Sequence, residues 1–293
     1  MDTKKLYRAK PCIPQEDKPY IQNAWNEILD TGMFIQGKYV TEFENLFAEY
    51  CGTKYAIATN SGATSLEVML RASNIEGKKF LVPTQTFVAS VSAIVRSNNI
   101  PVITDIDPET QCLNLDIIKA NVDEDTAGVM LVHMAGMLPP DYKDIKQYCD
   151  DNNLLLVEDA SHAVGATIDG VKAGNLGFAA AFSLFATKII TSGEGGMITT
   201  NNEGFAERCR VLRNHGCVRN TAIVPGLDYG VSCSVASSNY RMPEMSAAIG
   251  ITQIKRADEF VAKRNLLADR YKERLKDTDI VVPDIPENIT MTW

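Results

Sequence analysis

Two stretches decide how this chain folds: Leu154-Leu-Leu-Val-Glu-Asp159, and Ser183-Leu-Phe-Ala-Thr-Lys188-Ile-Ile-Thr-Ser-Gly-Glu-Gly-Gly196. The first is a short apolar run closed by two acids, the pattern of a strand covered on both faces. The second follows the apolar run from Phe178 to Phe182 and enters a glycine-rich turn. Asp159 therefore stands at the tip of one predicted strand, and Lys188 just past the tip of a later one.

Strand and helix signals alternate around these two. Strands are predicted at Tyr55–Thr59, Phe80–Val82, Val102–Asp105, Ala127–Val132, Leu154–Val157, Ala179–Leu184 and Met197–Thr200. Helices are predicted at Thr41–Cys51, Ala63–Ser73, Phe87–Arg96 and Asp141–Asn152. Strands separated by helices imply an α/β fold with a mostly parallel sheet and helices on both faces. Ligands bind beyond the carboxyl ends of the strands in such sheets, where Asp159 and Lys188 both fall. Residues 1–40 are polar and mixed and read as an irregular arm. From Pro243 to Lys276 runs one long helical pattern, and Pro283 and Pro286 follow it. Such a helix links two domains or lines an interface; a surface helix of the main domain is the alternative. The expected division is 1–242 for a large domain with its arm, and 243–293 for a linking helix and the start of a smaller one.

The 293 residues carry a net charge of −8, which argues against nonspecific nucleic-acid binding. Apolar residues make up 45% and charged residues 23%, enough for an ordinary globular core. The seven cysteines are dispersed without a C-x-x-C pair and read as reduced, buried thiols. Met1–Lys10 lacks the apolar core of a signal peptide, and no apolar run approaches the roughly 18 residues of a membrane span. A cytoplasmic protein without a membrane partner is expected.

Several short motifs each admit a plain reading and a chemical one. Asn60-Ser-Gly-Ala-Thr-Ser65 joins a strand to a helix, either as a simple N-cap turn or as a phosphate site at a helix N-terminus. Asp159 is either a strand-end carboxylate for a structural arginine or the partner of a cofactor ring nitrogen. Lys188 sits among apolar and small residues, where burial favours the neutral amine. An acid and a lysine so placed suit pyridoxal phosphate, which needs a Schiff-base lysine and a carboxylate at its pyridine nitrogen. Ser183 is placed either to hold the cofactor phosphate or to turn the chain, and Phe87 either to stack on the ring or to fill the core. His133, His162 and His215 lack metal-ligand spacing, so no metal site is expected. Gly165-Ala-Thr-Ile-Asp-Gly170-Val-Lys starts like a P-loop but lacks the Lys-Ser/Thr ending, and no G-x-G-x-x-G follows a strand.

Taken in order, these motifs resemble the DegT/DnrJ/EryC1/StrS family, fold-type-I pyridoxal-phosphate enzymes that aminate nucleotide-linked keto sugars. The resemblance runs through Phe34-Ile-Gln-Gly37, Ser61-Gly-Ala-Thr64, Pro83-Thr-Gln-Thr-Phe87 and Pro101-Val-Ile-Thr-Asp-Ile-Asp107. It continues through Val132-His-Met-Ala-Gly136, Glu158-Asp-Ala-Ser-His162, Phe182-Ser-Leu-Phe-Ala-Thr-Lys188 with Gly193-Glu-Gly-Gly196, Arg213-Asn-His-Gly216 and Asn239-Tyr-Arg-Met242. It implies an aspartate aminotransferase-like fold and an amino transfer from a donor, expected to be L-glutamate, to a nucleotide-linked keto-deoxysugar. The cofactor would alternate between pyridoxal and pyridoxamine phosphate.

The resemblance also implies roles. Lys188 would carry the Schiff base and move the protons, and Asp159 would pair with the pyridine nitrogen. Phe87 would stack on the ring, and His162 would stand near its 3′-oxygen. Ala63, Thr64 and Ser183 would bind the phosphate, with Gly62 also against the cofactor. Asn239 would reach the phosphate of the neighbouring subunit, which makes a homodimer part of the site. Family members usually continue several tens of residues past the point equivalent to Trp293, so the small C-terminal domain is expected to be incomplete here. A pyridoxal-phosphate-dependent sugar dehydratase on the same scaffold, or a noncatalytic cofactor-binding homologue, is the alternative.

Overall fold

The computed structural model describes residues 10–219 and 231–293. In chain order its elements begin with α1 (Lys18–Thr31), α2 (Lys38–Cys51), β1 (Tyr55–Thr59), α3 (Gly62–Ala72), β2 (Lys79–Pro83), α4 (Val88–Arg96) and β3 (Ile100–Thr104). Next come α5 (Leu115–Asn121), β4 (Thr126–Val132), α6 (Tyr142–Asp151), β5 (Leu155–Asp159), the short strands β6 (Thr167–Ile168) and β7 (Val171–Lys172), and β8 (Ala179–Ser183). The series closes with β9 (Gly196–Thr200), α7 (Glu203–Arg213), β10 (Cys217–Arg219), β11 (Val231–Cys233), α8 (Glu244–Ile254), α9 (Ala257–Leu275) and β12 (Ile289–Thr290).

The main sheet has seven strands in the order β1-β9-β8-β5-β4-β2-β3. Every neighbouring pair from β8 to β3 is parallel, while β9 runs antiparallel to both β8 and β1. The mostly parallel α/β sheet expected from the sequence is therefore present. Alternation along each strand sends side chains to opposite layers. Ile57, Val82, Met130, Val157, Ala181 and Ile198 form one apolar cluster with residues of α3, α4 and α7. On the opposite face Leu81, Val129, Leu131 and Leu156 pack with α5 and α6. Ala56, Ala58, Ala180, Phe182 and Met197 join a third cluster with α1, α2 and α8.

Three sequence expectations are corrected. The arm over residues 1–40 contains a 14-residue helix, α1, whose Ile21, Ala24 and Ile28 are buried. Tyr20, Ile21, Ala24, Trp25, Ile28 and Leu29 recur at helical spacing, so the signal is local and the irregular-arm reading overlooked it; the stripe packs on α8. The single long helix from Pro243 to Lys276 is two helices, interrupted at Lys255–Arg256. The Arg256 guanidinium is tied to Asp17 by bonds of 2.7 and 2.9 Å and to Glu259 at 3.1 Å, so the interruption is anchored to the segment before α1. The cysteines are not all reduced and buried. Cys51, Cys112, Cys149 and Cys209 are buried thiols, Cys12 is exposed, and Cys217 is disulfide-bonded to Cys233. Antiparallel pairing of β10 with β11 sets those two residues opposite each other, which their linear spacing does not reveal.

Glu244 shows how distant segments are locked together. Its fully buried carboxylate accepts the backbone N–H groups of Gly37 at 2.8 Å, Tyr39 at 2.8 Å and Val40 at 3.3 Å, the orphan donors at the start of α2. A negative charge at a helix N-terminus is also favoured by the helix dipole. Replacing it with alanine leaves these amides unpaired in the core. Glu244→Ala should therefore lower the unfolding free energy by about 3 kcal/mol in chemical denaturation. A loss below about 1 kcal/mol would show that the carboxylate does not anchor α2.

Candidate active site

The strand register assembles the site. Asp159 ends β5 opposite Val132 of β4, and Ser183 ends β8 opposite Gly196, which is itself opposite Thr59 at the end of β1. The carboxyl ends of four strands thus form one edge. A cavity of about 600 Å³ opens there, lined among others by Gly62, Ala63, Phe87, Asp159, His162, Ser183 and Lys188. Seven of the nine residues singled out in the sequence meet in this one cavity.

Its floor is the start of α3. Ser61 caps the helix: its Oγ accepts the Thr64 N–H at 3.2 Å, and Thr64 Oγ1 accepts the Ser61 N–H at 3.2 Å. The amides of Gly62 and Ala63 have no intrahelical acceptor and are free for an anion. Close approach to β8 requires glycine, because a Cβ at Gly62 would lie 2.6 Å from Ser183 Cβ. Gly196 is equally constrained, since a Cβ there would meet the Ser61 carbonyl oxygen at 2.2 Å. The result is a small cradle of two amides and the Ser183 hydroxyl, dimensioned for a phosphate. Thr64 does not line it, because its hydroxyl closes the helix cap and bonds Asn60 Oδ1 at 2.7 Å.

Asp159 and its neighbour Glu158 point to opposite faces of the sheet, as strand alternation demands. Glu158 is fully buried and structural: its carboxylate accepts the amides of Gly174, Leu176 and Gly177 at 2.8–2.9 Å and contacts His133 Nε2 at 3.0 Å. Asp159 faces the cavity side and is 5% exposed. Its Oδ2 accepts the Ser90 hydroxyl at 2.6 Å and its Oδ1 the Ser161 amide at 3.1 Å. No arginine takes it up, so the structural-arginine alternative for Asp159 falls away among the described residues.

Lys188 lies on the segment between β8 and β9, half-buried, with its amide bonded to the Phe185 carbonyl at 3.0 Å. Burial lowers its pKa below the ordinary lysine value, and the field of Asp159 opposes that shift only in part. Among the described residues it forms no ion pair. Burial likewise lowers the pKa of His162, reinforced by the charge of Lys188 and opposed by Asp159, which favours a neutral imidazole. Phe87, the N-cap of α4, is 70% exposed while lining the cavity, so it is not a core residue. An exposed aromatic face over the cavity suits stacking on a planar ring.

Asn239 lies outside the lining of its own chain's cavity; it is exposed, bridged to Asn214 and held near Asn60, whose Nδ2 donates to its carbonyl at 3.3 Å. Sequence reasoning missed Thr86, Ser90 and Ser161, which line or brace the cavity, and read Ser61 only as part of the Asn60–Ser65 turn. Only Ser61 had a local signal, as an N-cap serine before a helical pattern; Ser90 looks like any small residue of an apolar helix.

The cradle, the buried acid, the lysine of lowered pKa and the exposed aromatic are the groups that a pyridoxal phosphate site would need. Comparison with known proteins agrees. Residues 15–293 match the DegT/DnrJ/EryC1/StrS aminotransferase family model. The chain is 38% identical over 276 residues to the GDP-perosamine synthase of Caulobacter vibrioides, covering 94% of this chain and 71% of that one. It is 34% identical over 277 residues to the dTDP-3-amino-3,6-dideoxy-alpha-D-galactopyranose transaminase of Aneurinibacillus thermoaerophilus, covering 93% and 73%. Among solved structures, DesV of S. venezuelae, determined in complex with a ketimine intermediate, superposes with a TM-score of 0.87 at 28% identity, covering 98% of this chain and 76% of that one. The chain belongs to the DegT/DnrJ/EryC1/StrS aminotransferase family.

Proposed function

We propose that this protein is a pyridoxal-phosphate aminotransferase that moves an amino group from L-glutamate to the keto carbon of a nucleotide-linked deoxysugar in the cytoplasm. The observation that carries the reading is the meeting of Lys188, Asp159 and the α3 cradle in one cavity. The relatives named above for GDP- and dTDP-linked amino sugars support the substrate class. When bound, the cofactor supplies an electron sink for a carbanion.

The chain's own residues supply the rest. The Gly62 and Ala63 amides and the Ser183 hydroxyl would hold the phosphate. Asp159 would accept a hydrogen bond from the protonated pyridine nitrogen, Phe87 would cover one face of the ring, and His162 would stand by the 3′-oxygen. Lys188 would be the covalent attachment point and, when freed, the group that takes and returns protons. Its neutral form is favoured by burial, so it is ready to act as a base.

A second subunit completes the site through Asn239. The support is positional. Asn239 is exposed and outside its own chain's cavity, on a segment that leads to Pro243. Pro243 bridges to Ile35, and there the exposed apolar residues Leu29, Met33, Phe34 and Ile35 form a stretch suited to burial against a second copy. No helix of the described residues is long and apolar enough to cross a membrane.

Absorbance spectra with pyridoxal phosphate, before and after L-glutamate, test the reading directly. The expected result is a visible band in the wild-type protein, bleached by glutamate and absent in Lys188→Ala. A band indifferent to glutamate would point instead to a lyase or another donor. A band of equal strength in Lys188→Ala would remove Lys188 from its role. Burial of Lys188 sets a second expectation. Because its pKa lies below 10.5, the initial rate of band formation should rise with pH through a midpoint below that value. A midpoint at the ordinary lysine value would contradict it.

A further inference from the structure

The carboxylate that would meet the pyridine nitrogen is held by a hydrogen-bond chain that the reaction itself does not require. Ser90 Oγ lies 2.6 Å from Asp159 Oδ2 and 2.6 Å from Thr86 Oγ1. An ionised carboxylate can only accept, so the single Ser90 proton goes to Asp159. The Thr86–Ser90 bond must then be donated by Thr86. The other acceptor near Thr86 Oγ1, the Phe87 carbonyl, is more distant at 3.3 Å. The chain thus runs one way, Thr86 to Ser90 to Asp159, and each bond polarises the next.

The arrangement is built rather than incidental. Ser90 is fully buried, and among the described residues its hydroxyl pairs with Thr86 and Asp159 alone. The second oxygen of Asp159 is fixed independently by the Ser161 amide at 3.1 Å. Two donors from different elements, the helix α4 and the loop after β5, therefore set the plane of the carboxylate. Ser90 also stands three residues after Phe87, the N-cap of α4, and its amide donates to the Phe87 carbonyl at 3.1 Å. The start of α4 thereby places both the aromatic at the cavity and the brace on the acid.

We propose that Ser90, oriented by Thr86, is the positioning residue of Asp159: it fixes the carboxylate so that its remaining acceptor site faces a protonated ring nitrogen of the cofactor. This inference rests on the reading of the cavity as a pyridoxal-phosphate site. Without the Ser90 hydroxyl, Oδ2 loses its only donor among the described residues and the carboxylate can turn about the Ser161 bond. The cofactor then meets an acid that is present but misaligned, while the cradle and Lys188 stay intact.

The test uses the full chain stripped of cofactor and titrated with pyridoxal phosphate, comparing wild type with Ser90→Ala, Ser90→Thr, Thr86→Val and Asp159→Ala. Ser90→Ala is expected to weaken cofactor binding about tenfold, the loss of one hydrogen bond to a charged group. It should also move the pH midpoint of the bound cofactor's visible band by about one unit. Ser90→Thr, which keeps the hydroxyl, should restore the midpoint. Thr86→Val, at a less buried position, should move it in the same direction by less. Ser90→Ala with wild-type affinity and an unmoved midpoint would overturn the proposal, as would a Thr86→Val midpoint unchanged while Ser90→Ala merely melts early. If wild type itself forms no band, or Asp159→Ala titrates as wild type does, the cofactor reading fails and this inference with it.

Discussion

The site depends on a buried carboxylate that takes no part in it. Glu158 lies on the far face of β5 from Asp159, sealed from solvent, and accepts three backbone amides from the turn at Gly174–Gly177. A buried carboxylate with this many donors is stable only in one orientation, because any rotation strands charge and amides together. Glu158 thereby pins the end of β5, and His133 on the neighbouring strand end is pinned with it through Nε2. Since alternate residues of a strand face opposite ways, fixing Glu158 inward on one side fixes Asp159 toward the cavity on the other.

Strand β9 provides the complementary constraint. Its antiparallel insertion between β8 and β1 aligns Gly196 with both Ser183 and Thr59. That alignment sets the start of α3 beside the end of β8 at a distance only glycine permits. The hairpin from β8 to β9 also carries Lys188, so the lysine and the cradle are positioned by the same pairing.

The cavity combines costly features. An acid that is 5% exposed, a half-buried lysine without an ion-pair partner among the described residues and two helix amides without intrahelical acceptors would each be better satisfied elsewhere. Under the proposed function, a phosphate, a ring nitrogen bearing a proton and a carbonyl carbon that takes up an amine would answer all three at once. Such local conflict, in a body otherwise well packed, marks a ligand site.

The α/β alternation, the strands read at Leu154–Val157 and Ala179–Leu184, and most of the residues that meet in the cavity were legible in the sequence. These follow from local signals: apolar runs, glycine turns, and polar groups at strand ends. The pairing of motifs far apart in sequence was legible because strand ends in such a sheet share one edge. Helix α1 was legible as well, since its apolar residues recur at helical spacing, and was overlooked. What the sequence did not show is non-local: the helical pattern after Pro243 is interrupted where Arg256 pairs with Asp17. Cross-strand register, not spacing, joined Cys217 to Cys233. Thr64 left the cavity because its hydroxyl closes a cap, and Ser90 entered its support because its side chain reaches from α4 to the end of β5. A hydroxyl's partner is set by a few tenths of an ångström between elements that never touch in the sequence, and periodicity carries no record of that distance.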